Sequence, residues 1–165
     1  SGGGLTGSVF YDLEVPDFTK EKFSMSGVVM TAATAQVTPT AEPDAVLKPL
    51  LPGPPTTRRE FYDIDTVAIY AEVYDGLDTK VPHTVDITAK LLSEEGRELT
   101  QRTEARSSKD LAGPGGGFGY SAQFPLADLA PGRYVARLWV GGDVFEQGFA
   151  VATGQTSDVT FRVAR

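Results

Sequence analysis

The chain of 165 residues contains no cysteine. A disulfide framework, a thiolate-held zinc site and a cysteine nucleophile are therefore all excluded. Histidine is nearly absent too: His83 stands alone, so no metal centre can be built from several imidazoles. A nucleophilic triad needs only one histidine, yet no Gly-x-Ser-x-Gly elbow is present to carry the serine. No apolar run reaches the length of a membrane-crossing helix, and no secretory leader pattern is found. Positive charge is in short supply. Lys and Arg number 15 against 22 Asp and Glu, for a net charge of -7. A chain of that sign is ill suited to a phosphate backbone, so no nucleic-acid partner is expected. The acids are scattered rather than clustered, which reads as solubility.

What is present is alternation. Val9, Tyr11, Leu13 and Val15 share one face of a first predicted strand, ended by Pro16. Phe23, Met25, Gly27 and Val29 line a second, Val67, Ile69, Ala71 and Val73 a third, and Val85, Ile87, Ala89 and Leu91 a fourth. Glu94-Glu95-Gly96 is a short turn in which glycine supplies a positive φ. Leu99, Gln101, Thr103 and Ala105 make a polar fifth strand, expected at a sheet edge. Phe118, Tyr120, Ala122 and Phe124 form the sixth. Tyr134, Ala136, Leu138 and Val140 form the seventh, with Val135, Arg137 and Trp139 on its other face. Phe145, Gln147, Phe149 and Val151 are predicted as an eighth strand, and Val159, Phe161 and Val163 as the last. About eight to nine short strands with turn signals between them, and no helical stripe, predict an all-β antiparallel sandwich. A single domain over residues 1–165 is large enough to bury roughly 70% of its unfolded surface.

Residues 32–59 interrupt this pattern. The stretch is rich in Pro, Thr and Ala and includes Pro52-Gly53-Pro54-Pro55, a composition that cannot pair in a sheet. It reads as an insertion lying over the surface. Gly113-Pro114-Gly115-Gly116-Gly117-Phe118-Gly119 resembles a phosphate loop only superficially, because a strand follows it where a helix is needed. It is expected to be a hairpin connection. Asp63 and Asp65 precede the third strand, and Asp75 and Asp78 follow it. The two pairs lie about 30 Å apart along an extended strand and cannot share one calcium ion. Each is simpler as a turn residue or cap. No metal or cofactor is expected. Tyr70, Tyr74 and Trp139 are the candidate binding residues: aromatics on a sheet face suit sugar stacking or a protein interface, and they also suit burial beneath the insertion.

The stretch Tyr120 to Val140, with Tyr134 just after Pro131-Gly132, resembles the region of immunoglobulin-like and fibronectin-like domains where such a tyrosine opens a late strand. A wider resemblance rests on Val9-Phe-Tyr-Asp-Leu-Glu-Val-Pro-Asp-Phe18, Phe23-Ser-Met-Ser-Gly-Val-Val29, Ala71-Glu-Val-Tyr-Asp75, Arg106-Ser-Ser108 and Gly119-Tyr-x-Ala-x-x-Pro-Leu-x-Asp-Leu-x-Pro-Gly-x-Tyr-Val135. Together these look like the region carboxy-terminal to the von Willebrand factor A domain in a group of bacterial proteins, notably from acidobacteria. The resemblance implies an exported protein, secreted or held in the cell envelope. The A domain itself is not in this sequence, which has no Asp-x-Ser-x-Ser to hold its metal. No ligand-binding residue is carried over. A vaguer similarity is to small accessory sandwiches, including bacterial proteinase-inhibitor-like domains. The Ser-Gly-Gly-Gly start, without an initiator Met, is expected of a piece of a longer protein. The expectation is a non-enzymatic module that contacts a protein partner or a neighbouring domain of its own chain. The alternative is a carbohydrate-binding module.

Overall fold

Alternating apolar residues bury one side of an extended chain and leave the other wet, and a second such layer is needed to cover the buried side. A computed structural model describes residues 17, 21–32, 45, 51, 53–76, 82–110, 117–146 and 149–164. The first predicted strand, Val9–Val15, lies outside them. Among the described residues there is no helix, and nine strands form two sheets. They are β1 (Phe23–Met25), β2 (Val29–Ala32), β3 (Glu60–Tyr62), β4 (Thr66–Asp75), β5 (Thr84–Ser93), β6 (Glu98–Ser107), β7 (Gly117–Pro125), β8 (Gly132–Glu146) and β9 (Phe149–Ala164).

In the first sheet β4 is central. β1 and β2 pair along one of its sides, and β7 along the other. The second sheet has the order β3-β9-β8-β5-β6. Every pairing is antiparallel except β3 with β9, where Phe61 lies opposite Val163. The inner faces meet in one core. Val67, Ile69, Ala71 and Val73 of β4 face Val85, Ile87 and Ala89 of β5 and Ala136, Leu138 and Val140 of β8. At one end Phe161 packs between Phe61 and Tyr134, each ring centroid 6.0 Å away. Burying each large side chain of this kind contributes about 1.5–3 kcal/mol.

Two turns are held by specific chemistry. Gly96 has a φ of 82° between β5 and β6, as the turn requires. Tyr134 donates its phenol proton to the Ala130 carbonyl at 2.6 Å, tying the entry of β8 to the turn before it. That is the tyrosine-corner arrangement of antiparallel sandwiches.

Two predicted strands need correction. The second was expected to run unbroken with Phe23, Met25, Gly27 and Val29 on one face. Instead Met25 lies opposite Val73 and Val29 opposite Tyr70, so one extra residue is accommodated between β1 and β2. Such a bulge reverses the phase of everything after it. Phe23 and Met25 face the core before it, and Met30 and Ala32 after it. Ser26 secures the bulge: its N–H donates to the Glu72 carbonyl at 2.9 Å, and its hydroxyl accepts the Glu72 N–H at 2.9 Å. The predicted eighth strand is also two. Glu146 lies opposite Phe149, so the chain reverses between them and the residues on either side belong to β8 and β9.

From the 32–59 segment, Ala32 belongs to β2 and is fully buried. Thr56 donates its N–H to the Met30 carbonyl at 2.9 Å, and the Thr31 hydroxyl donates to the Pro54 carbonyl at 2.7 Å. The end of the segment therefore lies against β2.

Candidate functional site

The three candidate aromatics occupy outer faces, because each alternates with core residues on its own strand. Tyr70 and Tyr74 lie on β4 and share a face, as the alternation predicts. Tyr70 is 4% exposed, so its ring is covered rather than offered to solvent. Tyr74 is half-buried, and its hydroxyl donates to the Glu72 carboxylate. That bond first, then burial and the Glu72 charge, raise the phenol to about 12. Trp139 belongs to the other sheet and faces the opposite side of the sandwich. The tyrosines and the tryptophan therefore cannot form one site.

Around Trp139 the register of four strands brings their outward side chains into rows. Thr103, Thr88, Trp139 and Thr156 form one row, and Gln101, Lys90, Arg137 and Asp158 the next. The indole lies across Gly154. A Cβ there would stand 2.8 Å from two ring atoms and 2.5 Å from the Val140 carbonyl oxygen, so only glycine gives the ring its seat. Arg137 grips Asp158 with two bonds of 2.7 Å. This fork raises the guanidinium and lowers the Asp158 carboxyl, in each case chiefly through the hydrogen bonds. Lys90 reaches Glu98 at 2.8 Å, and the Thr88 and Thr103 hydroxyls are 3.0 Å apart. Thr88, Lys90, Gln101, Arg137, Trp139 and Thr156 line a trough of about 370 Å³.

The second notable surface is an edge. Among the described residues β6 pairs with β5 alone. Ser108 donates to the His83 carbonyl at 2.9 Å, and that bond fixes the parity of the ladder. Counting back along the register, Gln101, Thr103 and Ala105 direct their backbone N–H and C=O groups away from β5. The same count on β7, from the bond of Leu126 N–H to the Asp65 carbonyl, turns Gly119, Ser121 and Gln123 outward. Pro125, which has no N–H, falls on that outward side, where none is needed. A groove of about 560 Å³ separates the two edges, lined by Arg102, Thr103, Glu104, Tyr120, Ser121, Ala122 and Gln123.

The inward face of β6 is charged. Arg102, Glu104 and Arg106 lie opposite Ala89, Ile87 and Val85 and so point toward the core side. Arg106 pairs with Glu104 and sits 5.1 Å above the Phe118 ring centroid. Tyr120, beneath them, has its phenol pushed up by burial first and by the Glu104 charge second.

Two of the candidate acids, Asp65 and Asp75, have structural partners. Asp65 accepts the Tyr62 N–H at 3.0 Å and donates its own N–H to the Tyr62 carbonyl, closing the turn between β3 and β4. Asp75 lies 2.9 Å from His83, which also packs edge-on against Phe23, 6.4 Å between ring centroids. Asp78 lies outside the described residues. Among the described residues no group of three His, Asp or Glu is placed to hold a metal ion. No helix among them is long and apolar enough to cross a membrane.

The inward charges of β6 and the threonine row beside Trp139 escaped the sequence reading. Both are products of register between strands, which no single strand's pattern encodes. No protein-family model matches the chain, and no curated protein sequence matches it either.

Proposed function

We propose that the chain is a non-enzymatic sandwich module of a larger exported bacterial protein, and that it makes protein–protein contacts along the free edge of β6. The observation that carries this is a ten-residue strand, paired on one side only among the described residues, with alternate backbone groups of Gln101, Thr103 and Ala105 turned outward. An extended segment of a partner, or of a neighbouring domain, completes such an edge by main-chain hydrogen bonds. The charges of Arg102 and Glu104 beside the groove then select among strands.

We further infer an immunoglobulin-type strand order. The pairing of β4 with β7, the β5-β8-β9 sheet, the tyrosine corner and the parallel pairing of β3 with β9 all support it. Such domains serve widely as adhesion and spacer units, which agrees with the resemblance to the region following the von Willebrand factor A domain. Export and envelope or secreted localisation rest on that resemblance.

The test is titration of the chain with the domains that adjoin it in its parent polypeptide, followed by calorimetry. Ala105→Pro removes one outward N–H without breaking the ladder to β5. Saturable binding that Ala105→Pro abolishes, with an unchanged circular dichroism spectrum, is the expected result. Binding indifferent to that substitution, or no binding to any adjoining domain, overturns the edge as the contact surface.

A further inference from the structure

We propose that the outer face of β5, β6, β8 and β9 around Trp139 is a binding platform for a neutral saccharide chain. The inference is independent of the β6 edge, since it concerns side chains on a sheet face rather than outward backbone groups.

Three observations converge on it. First, the indole is packed against Gly154, which carries no side chain, and it lines the trough. A partly exposed aromatic ring immobilised on a sheet is what the apolar face of a pyranose stacks on, at little entropic cost to the protein. Second, the ring is flanked by uncharged hydrogen-bonding groups. Thr88 and Thr156 stand on either side of it in the same row, and Gln101 lies in the next. Hydroxyls and an amide both donate and accept, as sugar hydroxyls require. Third, the two cations that line the trough are each held in a pair. Arg137 is held by Asp158, and Lys90 by Glu98. A sulfated or uronate polymer would have to break those pairs, whereas a neutral chain leaves them intact. Charge complementarity thus selects an uncharged, hydroxyl-rich ligand.

Trp139 is the sole tryptophan, so its emission reports on the platform directly. Xylan, mixed-linkage β-glucan, galactomannan and chito-oligosaccharides are titrated as neutral probes, with polygalacturonate and dextran sulfate as anionic ones. A saturable emission change with at least one neutral probe is expected, insensitive to salt. Trp139→Ala should weaken that binding about tenfold or more. Gln101→Ala, on an exposed edge position, should weaken it several-fold with an unchanged melting temperature, and it serves if Trp139→Ala fails to fold. Flat titrations across all neutral probes overturn the proposal. So does a response confined to anionic polymers and abolished by salt, or binding that Gln101→Ala and Trp139→Ala leave intact.

Discussion

Tyr74 and Glu72 show how a pair on one face of a strand sets its own titration. The phenol donates to the carboxylate, so losing its proton would place two negative charges against each other. The folded phenol is therefore raised to about 12 from an ordinary 10.0. A group whose folded pKa is raised contributes stability that is fully present below the unfolded value and disappears as pH rises through the folded one. The window lies between about 10 and 12. The contribution is small, since water screens a side chain this exposed. A spectrophotometric phenolate titration of the folded chain should show a late-ionising tyrosine. Glu72→Gln should bring that ionisation back toward the ordinary range, while the buried Tyr120 stays high. An alkaline titration unchanged by Glu72→Gln would refute the assignment.

Strand by strand, the bulge between β1 and β2 decides which residues reach the core. Gly27 is the residue that deletion analysis should target. A Cβ at Gly27 would meet nothing within 4 Å, and its φ is not positive, so Gly27→Ala should cost under about 1 kcal/mol. Deleting Gly27 removes the extra residue itself. Met25 and Met30 then stand four positions apart, as their partners Val73 and Ile69 do, so unbroken alternation keeps Met30, which is 1% exposed, in the core. Adding a second residue beside Gly27 instead strains the register that the single extra residue satisfies. Urea unfolding of both length variants tests this: the deletion should hold its midpoint closer to the parent chain's than the insertion does, and equal losses would show that the segment is a mere loop. The same element explains what was legible beforehand. Strands with four alternating apolar positions, such as β4, β5 and the first part of β8, were evident because burial of one face imposes period two. The polar, edge-like β6 was evident for the complementary reason. β3 was not, because three residues carry no period and its parallel partner lies about a hundred residues away in β9. The reversal between Glu146 and Phe149 was masked by an alternation that runs across it. Of the candidate site, the shared face of Tyr70 and Tyr74 could be read from spacing. The placement of Trp139 on the opposite side, among Thr88, Thr156 and Gln101, required knowing which strands adjoin.

Taken as a whole, the sandwich has unlike flanks. On one, β1 and β2 of the first sheet and β3 of the second are the outer strands. On the other, β6 and β7 stand apart across a groove. Two edges on one flank, each unpaired on its outer side among the described residues, invite pairing between copies, which natural sheets suppress with charges pointing inward from an edge strand. Arg102, Glu104 and Arg106 have that placement, opposite the core positions Ala89, Ile87 and Val85 of β5. A second copy approaching β6 would have to desolvate all three, a cost that a partner strand with complementary charges offsets. Inward charges so placed disfavour self-pairing more than pairing with a strand of complementary charge. Replacing Arg102 and Glu104 together by valine should remove this effect while raising the β propensity of the strand. Sedimentation velocity over a concentration series should show the double variant associating at concentrations where the parent chain does not, and Ala105→Pro added to it should reverse the association by removing an outward N–H. If the double variant sediments as the parent chain does, the inward charges are not what governs this edge.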